Sequence, residues 1–257
     1  MSTPILSIHA HPDDAETLAG GTLALLAQKG HSITIVTMTS GDCGSHEYRP
    51  DEIAAIRREE AASAARLISA SYRCAEFGDL AIFNDDRSRR RIVELLRELQ
   101  PELVLTSSPL DYHCDHEATS LLVRDACFAA PALNYDTRTS GQPAKPMSAI
   151  PHLYFMDPVG ACDRDLNPIA PDFFVDVSST FEKKKAMLAC HSSQREWLRK
   201  HHGMDDYIAT MERWTRACGT RGRLEFAEGF RRYKNHPYPQ TPLLEELLAG
   251  YIHKNLP

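Results

Sequence analysis

The sequence predicts an α/β fold in which a mostly parallel sheet carries helices on both faces. Short apolar runs of strand length alternate with longer helical segments, as where ILSIHA (5–10) is followed by residues 15–29. This alternation is typical of right-handed βαβ units. The 257 residues are 42% hydrophobic and 25% charged, which is ordinary for a globular protein with a sizeable core. We therefore expect a Rossmann-like fold with a C-terminal extension.

The first half of the chain contains four predicted strand–helix units. The predicted strands are apolar or β-branched runs at 5–10, 31–38, 72–77 and 102–108. The predicted helices follow them at 15–29, 52–69, 87–100 and 118–130. In a parallel sheet of this kind, ligands bind outside the carboxyl ends of the strands.

The second half is predicted with less regular spacing. A proline-rich loop at 131–151 precedes two further strands at 152–156 and 173–177, with helices at 179–190, 204–218 and 243–253. No repeat or linker is visible. We expect a single domain over 1–257, in which 1–135 form the Rossmann-like core and 150–257 add strands and helices that complete the site.

Composition argues against several functional classes. A net charge of −6 and a pI near 6.1 do not favour a nucleic-acid-binding surface. No apolar run reaches the roughly 18 residues that span a bilayer, and no secretory signal is visible, so we expect a cytoplasmic protein without a membrane span. Seven single cysteines without a CxxC pair indicate reduced thiols rather than disulfides or a cysteine-rich zinc site.

Two polar loops follow the first and fourth predicted strands. They bring histidines and carboxylates to one rim of the sheet: His11, Asp13 and Asp14 in the first loop, and His113, Asp115 and His116 in the second. A zinc hydrolase needs three such ligands, an open position for water and a nearby base. The same residues have a simpler explanation, because an aspartate or histidine at these positions could cap the helix that follows. The shared rim favours the metal site.

HPDDAE (11–16) together with HCDH (113–116) resembles the PIG-L/LmbE-like zinc-dependent N-deacetylases, whose motifs are (A)HPDD(x)E and HxDH. Three flanking segments extend the resemblance over most of the chain: TSGDCG (39–44), IRREEAASAA (56–65) and FEKKKAMLACHSSQ (181–194). Members of this family, including those of bacillithiol and mycothiol biosynthesis, remove the acetyl group from N-acetylglucosamine conjugates. The resemblance thus implies a hydrolase that releases acetate and a free amine.

The resemblance also implies a role for individual residues. The zinc ligands would be His11, Asp14 and His116, and Asp13 would be the general base for the attacking water. His113, in its protonated form, would stabilise the oxyanion, and Asp115 would orient a histidine ring. The residues expected to contact substrate are Arg57, Tyr112 and His191.

Some features of the sequence leave alternatives open. Cys114 stands where the family usually has proline, which places a thiol beside the metal motif. The expected partner is a small N-acetylated sugar conjugate, and a homo-oligomer is possible. A zinc amidohydrolase that acts on a non-sugar N-acyl intermediate is the alternative enzyme, and a non-catalytic sugar-binding module on the same fold is the alternative of another class.

Overall fold

The computed structural model describes residues 2–137, 142–195, 200 and 207–254. The strands are β1 (Pro4–His9), β2 (Ser32–Thr39), β3 (Ser71–Phe77), β4 (Leu103–Thr106), β5 (His152–Met156), β6 (Phe173–Asp176), β7 (Ala227–Arg232) and β8 (Ile252–Lys254). The α-helices are α1 (Asp14–Gln28), α2 (Pro50–Arg66), α3 (Asp86–Leu99), α4 (Cys114–Ala129), α5 (Phe181–Leu188), α6 (Tyr207–Gly222) and α7 (Leu243–Leu247).

All eight strands form one sheet in the order β3-β2-β1-β4-β5-β7-β6-β8. The first five strands in this order pair in parallel. Strand β7 then pairs antiparallel with both β5 and β6, and β6 pairs antiparallel with β8. The predicted α/β fold is confirmed, with an antiparallel extension at the C-terminal edge.

Strand β1 lies at the centre of the parallel part and is buried on both faces. Its side chains alternate between two apolar clusters, with Ile5 in one and Leu6 and Ile8 in the other. Such double burial explains why the strand reads as a continuous apolar run rather than an alternating one. Because β4 is its direct neighbour, the loops that follow β1 and β4 lie side by side.

The structure departs from the sequence prediction at three elements. Helix α4 begins at Cys114 instead of residue 118, so the HCDH motif forms its first turn. Strand β7 was not predicted, since AEGFRR carries charges and a glycine. The helix expected over 243–253 ends at Leu247, and Ile252–Lys254 join the sheet as β8. These strands pair with residues distant in sequence, which local periodicity does not report.

A buried ion pair ties the C-terminal strands to the first helix. Lys184 of α5 lies 2.6 Å from Glu228 of β7, and both side chains are 1% exposed. Glu228 also accepts hydrogen bonds from the backbone N–H groups of Gly21 and Thr22 in α1 (2.9 and 2.8 Å). These bonds satisfy a charged group that would otherwise be costly to bury.

Two predictions from composition can be compared with the fold. The seven cysteines are free thiols, as expected. Within the described part of the chain, none of the helices has the length and apolar character needed to cross a membrane.

Candidate metal centre

A cavity of about 510 Å³ opens at the carboxyl ends of β1, β2, β3 and β4. Its described lining includes both polar loops, the segments after β2 and β3, and one face of α6. The lining residues are His11, Asp13, Asp14, Thr17, Leu18, Cys43, Gly44, Arg57, Asp79, Leu80, Tyr112, His113, His116, Val159, Gln194, Tyr207, Thr210, Met211 and Trp214. The structure thus brings the two predicted motifs into one site.

The adjacent aspartates separate because of the backbone between them. Asp13 has φ 100° and ψ −18°, a conformation that a residue with a side chain rarely adopts and that functional sites tend to hold under strain. Helix α1 begins at Asp14, and the Asp13 side chain makes no capping hydrogen bond. The capping explanation therefore fails for Asp13, whose carboxylate is directed into the cavity instead.

Asp14 lies between two histidine rings. Its carboxylate oxygens are 3.7 Å from Nδ1 of His11 and 3.4 Å from Nε2 of His116. Zinc bonds of about 2.0–2.1 Å in a tetrahedral site separate the ligand atoms by about 3.3 Å. Each of these two distances is close to the separation of two ligand atoms on one zinc ion.

The far nitrogen of each of these rings lies near a carboxylate. Nε2 of His11 is 3.2 Å from Asp115, and Nδ1 of His116 is 3.0 Å from Asp111. Metal-binding histidines commonly have a carboxylate beside the second ring nitrogen, which fixes the ring and raises the basicity of the ligating nitrogen. Asp115 thus lies where the prediction of a ring-orienting carboxylate requires. Asp111 occupies the equivalent position on the second ring, a role that the sequence did not suggest for it.

The negative charge around His116 creates a cation-binding environment. Burial alone would lower the pKa of His116, but Asp14 and Asp111 raise it to about 11. Burial likewise opposes the ionisation of Asp14, yet His116 and His11 bring its pKa well below the usual range. The same charges that retain a proton here would attract a divalent cation in its place.

His113 completes a cluster of three rings. One nitrogen from each of His11, His113 and His116 lies within 4.8 Å of the others. As the N-cap of α4, His113 uses Nδ1 to accept the backbone N–H of Asp115 at 3.2 Å, which leaves Nε2 to face the site. Burial and the two neighbouring rings lower its pKa. With Nδ1 accepting this bond, the proton of a neutral His113 ring lies on Nε2, and the protonated form in the working enzyme stays a prediction.

Side chains from two helices, α2 and α6, converge on the carboxylate of Asp13. Tyr207 of α6 donates a hydrogen bond to it at 2.5 Å, and the Arg57 guanidinium lies 3.7 Å away. Burial raises the pKa of Asp13, while Arg57 and the Tyr207 bond oppose that rise. An aspartate whose pKa is raised by burial is better suited to accept a proton than an exposed one.

Arg57 braces two loops at the floor of the site. Its side chain is 5% exposed and donates to the carbonyls of Pro12 (2.7 Å) and Gly41 (3.4 Å). Gly41 has φ +74°, and a Cβ there would lie 2.2 Å from the guanidinium. Arg57 lines the cavity, and both of its hydrogen bonds among the described residues go to backbone carbonyls.

The other two residues expected to contact substrate lie in different environments. Tyr112 is 65% exposed at the cavity mouth, with its ring edge-on to His113 and His116. His191 is fully buried behind the cavity wall, and Nε2 lies 3.5 Å from Glu16. His191 lies outside the described lining of the cavity, so its contact with substrate stays a prediction.

Several residues of the site carried no recognisable signal in the sequence. Asp79 and Leu80 follow β3, and the N–H of Leu80 binds Asp115 at 2.7 Å. Asp79 also forms a second metal-compatible group with His11 and Asp115. The position of Asp79 shortly after the third predicted strand is the one feature of the sequence that could have indicated its place at the site. Tyr207 and Trp214 lie on a helix whose sequence reveals its amphipathic pattern but not its position at the cavity.

Comparison with known proteins places the chain in a family. The family model described as "PIG-L: GlcNAc-PI de-N-acetylase" matches residues 6–127, which include both metal motifs. A 4-oxalmesaconate hydratase from Pseudomonas putida is 30% identical over 205 residues, or 76% of each chain. The chain belongs to the PIG-L family. A diacetylchitobiose deacetylase from Thermococcus kodakarensis is 28% identical over 198 residues, covering 74% of this chain and 69% of the relative.

Solved structures of PIG-L relatives extend the match to nearly the whole fold. The 4-carboxy-2-hydroxymuconate hydratase of Pseudomonas putida superimposes with a TM-score of 0.75 at 25% identity, covering 94% of this chain and 100% of the other. The N,N'-diacetylchitobiose deacetylase of Pyrococcus horikoshii gives a TM-score of 0.74 at 25% identity, with coverage of 93% and 88%. Membership confirms the predicted family, and the relatives that are named as deacetylases support the predicted enzyme class.

Proposed function

We propose that this PIG-L family member is a zinc-dependent N-deacetylase that acts on an N-acetylglucosamine-type conjugate. The observation that carries the proposal is the position of Asp14 between His11 and His116, with the neighbouring Asp13 left free to act on water. Adjacent carboxylates in one loop then have different functions, one as ligand and one as base. The deacetylases among the relatives support the choice of reaction.

The donor set fits zinc. Two imidazole nitrogens and one carboxylate form a borderline site that zinc accepts, and the carboxylates of Asp111 and Asp115 hold the two rings in position. His113 provides a third nearby nitrogen. When bound, zinc would polarise the amide carbonyl and lower the pKa of water toward ~7.

The surrounding side chains would divide the remaining chemistry. Asp13 accepts the proton of the attacking water, with Tyr207 and Arg57 holding its carboxylate in place. Neutral His113 offers its Nε2–H to the developing oxyanion, because its Nδ1 is already used as an acceptor. The proton taken up by Asp13 then passes to the leaving amine, so that acetate and a free amine are released.

The charges of the cavity favour a neutral substrate. Among its described lining residues, Asp13, Asp14 and Asp79 are acidic, and Arg57 is already engaged with backbone carbonyls. A divalent cation would nearly balance these charges. The exposed ring of Tyr112 at the mouth offers an apolar face for a sugar.

An acetate-release assay tests the proposal. The purified protein, with zinc content measured by atomic absorption, is incubated with N-acetylglucosamine, its inositol and malate glycosides, and diacetylchitobiose. We expect about one zinc per chain and acetate from at least one conjugate, with loss of release after chelation and recovery on adding zinc. Acetate release that persists at full rate in metal-free protein would contradict the proposed mechanism.

A second candidate function is hydration of an unsaturated carboxylate. The hydratase of Pseudomonas putida matches this chain over 76% of both sequences and over its entire solved structure. Water activated beside Asp13 could add to a carbon–carbon double bond as well as to an amide. Loss of the absorbance of an unsaturated oxo acid such as 4-oxalmesaconate, without acetate release from any sugar, would favour this activity.

A further inference from the structure

A second cavity of about 130 Å³ lies beside the candidate metal centre. It is enclosed by α1, the segment after β5, α6 and β7. Thr17, Leu18 and Trp214 line both cavities, so one thin wall separates them. Its volume is enough for several water molecules or one small ring.

The cavity contains a buried carboxylate that is only partly satisfied. Asp157 is 8% exposed, and its Oδ2 accepts a hydrogen bond of 3.3 Å from Nη1 of Arg221. Its Oδ1 is buried without a hydrogen-bond partner among the described residues. An unsatisfied buried oxygen of this kind costs roughly 1–3 kcal/mol unless a ligand or water binds it.

The backbone near Asp157 leaves room for the carboxylate. A Cβ at Gly229 of β7 would lie 2.4 Å from Oδ2 of Asp157. A residue with a side chain at this position would displace the carboxylate from the cavity. Gly229 is also the glycine that made β7 hard to predict from the sequence. The room it leaves for the Asp157 carboxylate explains why a glycine lies in this strand.

The remaining lining matches the surface of a sugar or other polyol. A carboxylate oxygen accepts from hydroxyl groups and a guanidinium donates to them, and a hydroxyl can do both. The ring of Trp214 and the side chain of Leu18 offer apolar contact to the C–H face of such a ring. Paired Asp157 and Arg221 carry opposite charges, which suits a neutral ligand better than an ion.

We propose that this cavity is a second subsite, which binds the hydroxylated group attached to the N-acetylated sugar. The inference rests on the proposed deacetylase function and narrows its substrate to conjugates of at least two units. The sugar bearing the acetamide would occupy the metal cavity, and its partner ring would pass Trp214 to reach Asp157. The enzyme would then select its substrate by the group remote from the amide.

Substitutions that block or alter the second cavity test this assignment. Ala217 lines it from an exposed position on α6, so Ala217→Phe would fill its opening without disturbing the core. Thr220→Phe adds the same ring at an exposed position three residues further on and outside the lining, which makes it a matched control. Asp157→Asn preserves the shape but changes the acceptor.

The readout is kcat/KM for diacetylchitobiose divided by kcat/KM for N-acetylglucosamine. We expect Ala217→Phe and Asp157→Asn to lower this ratio at least tenfold, mainly through KM for the disaccharide, and Thr220→Phe to leave it unchanged. An unchanged ratio in Ala217→Phe, or an equal loss on both substrates, would overturn the subsite. Thermal unfolding midpoints establish that the variants are folded.

Calorimetric binding of chitobiose separates failure of the subsite from failure of the proposed function. If the wild type releases acetate from none of the four compounds assayed above, the deacetylase proposal fails, and the binding of chitobiose then tests the cavity by itself. Binding that is lost in Ala217→Phe and kept in Thr220→Phe supports the subsite. Absence of binding to the wild type, or equal binding to all variants, would rule it out.

Discussion

The parallel and antiparallel halves of the sheet contribute to the site in different ways. Loops after β1 and β4, which are parallel neighbours, supply the cluster of histidines and aspartates. The antiparallel half and its helices supply Tyr207, which binds Asp13, and His191, which lies beside Glu16. The reactive groups thus come from the parallel half, and the antiparallel half adds part of the support around them.

This difference follows from topology. The carboxyl ends of parallel strands lie at the same edge of the sheet. The polar loops that follow neighbouring strands are therefore close in space even when they are far apart in sequence. The antiparallel strands do not all end at that edge. Their helices and loops instead pack against the side of the site. The side chains of the antiparallel half interact with the N-terminal loops and helices, as Glu228 does with the backbone of α1. The following predictions test this division of function.

Asp13 and Asp14 should give the largest and most clearly separated effects. Asp13→Asn removes the proposed base, and we expect kcat to fall by about 10²–10⁴ with one zinc still bound. Asp14→Asn removes a ligand, and we expect zinc affinity to fall at least about 100-fold. Zinc titration and acetate release distinguish the two. Loss of zinc from Asp13→Asn, or normal zinc binding by Asp14→Asn, would reverse the assignment.

Lys184 tests whether the antiparallel half is mainly structural. Lys184→Met leaves Glu228 buried without its countercharge, and we expect a loss of about 3–5 kcal/mol in the free energy of unfolding by urea. The matched control is Lys185→Met, since Lys185 pairs with Glu182 at the exposed surface and should lose about 0–1 kcal/mol. Equal losses in the two variants would mean that the buried pair has no special weight.

The raised pKa of Asp157 should make the free energy of unfolding depend on pH. Burial raises its pKa to about 6, above the unfolded value, so protonation favours the folded state and stability is lost as pH rises through about 6. Asp157→Asn removes this effect. We expect wild type minus variant stability to decrease by about 2–3 kcal/mol from pH 4 to pH 7, measured by urea unfolding. A difference that is constant with pH would contradict the raised pKa.

Tyr207 should give a smaller effect on the chemistry of the parallel half. Tyr207→Phe removes the hydrogen bond to Asp13, and we expect kcat to fall about tenfold, corresponding to about 1.4 kcal/mol, with zinc content unchanged. That bond lowers the pKa of Asp13, so its loss should move the acidic limb of the pH–rate profile to higher pH. A profile that keeps its position while only KM changes would indicate a role in substrate binding instead.

The sequence was most informative about the strands and about the polar loops that follow them. The four strand–helix units and both metal motifs could be recognised because apolar runs and polar loops alternate along the chain. It was less successful for His191, which reads as a pocket residue but is buried beside Glu16. The burial and contacts of such a side chain depend on residues that are distant in sequence.

The sequence by itself determined the α/β class, the family and the two loops that carry the candidate ligands, because these depend on local patterns and short motifs. Tertiary structure decided the positive φ of Asp13 and the contacts of its carboxylate with Tyr207 and Arg57. It also decided the second cavity around Asp157. Asp13 and Tyr207 are 194 positions apart in sequence, and the packing of the antiparallel half against α1 and its loops brings them together.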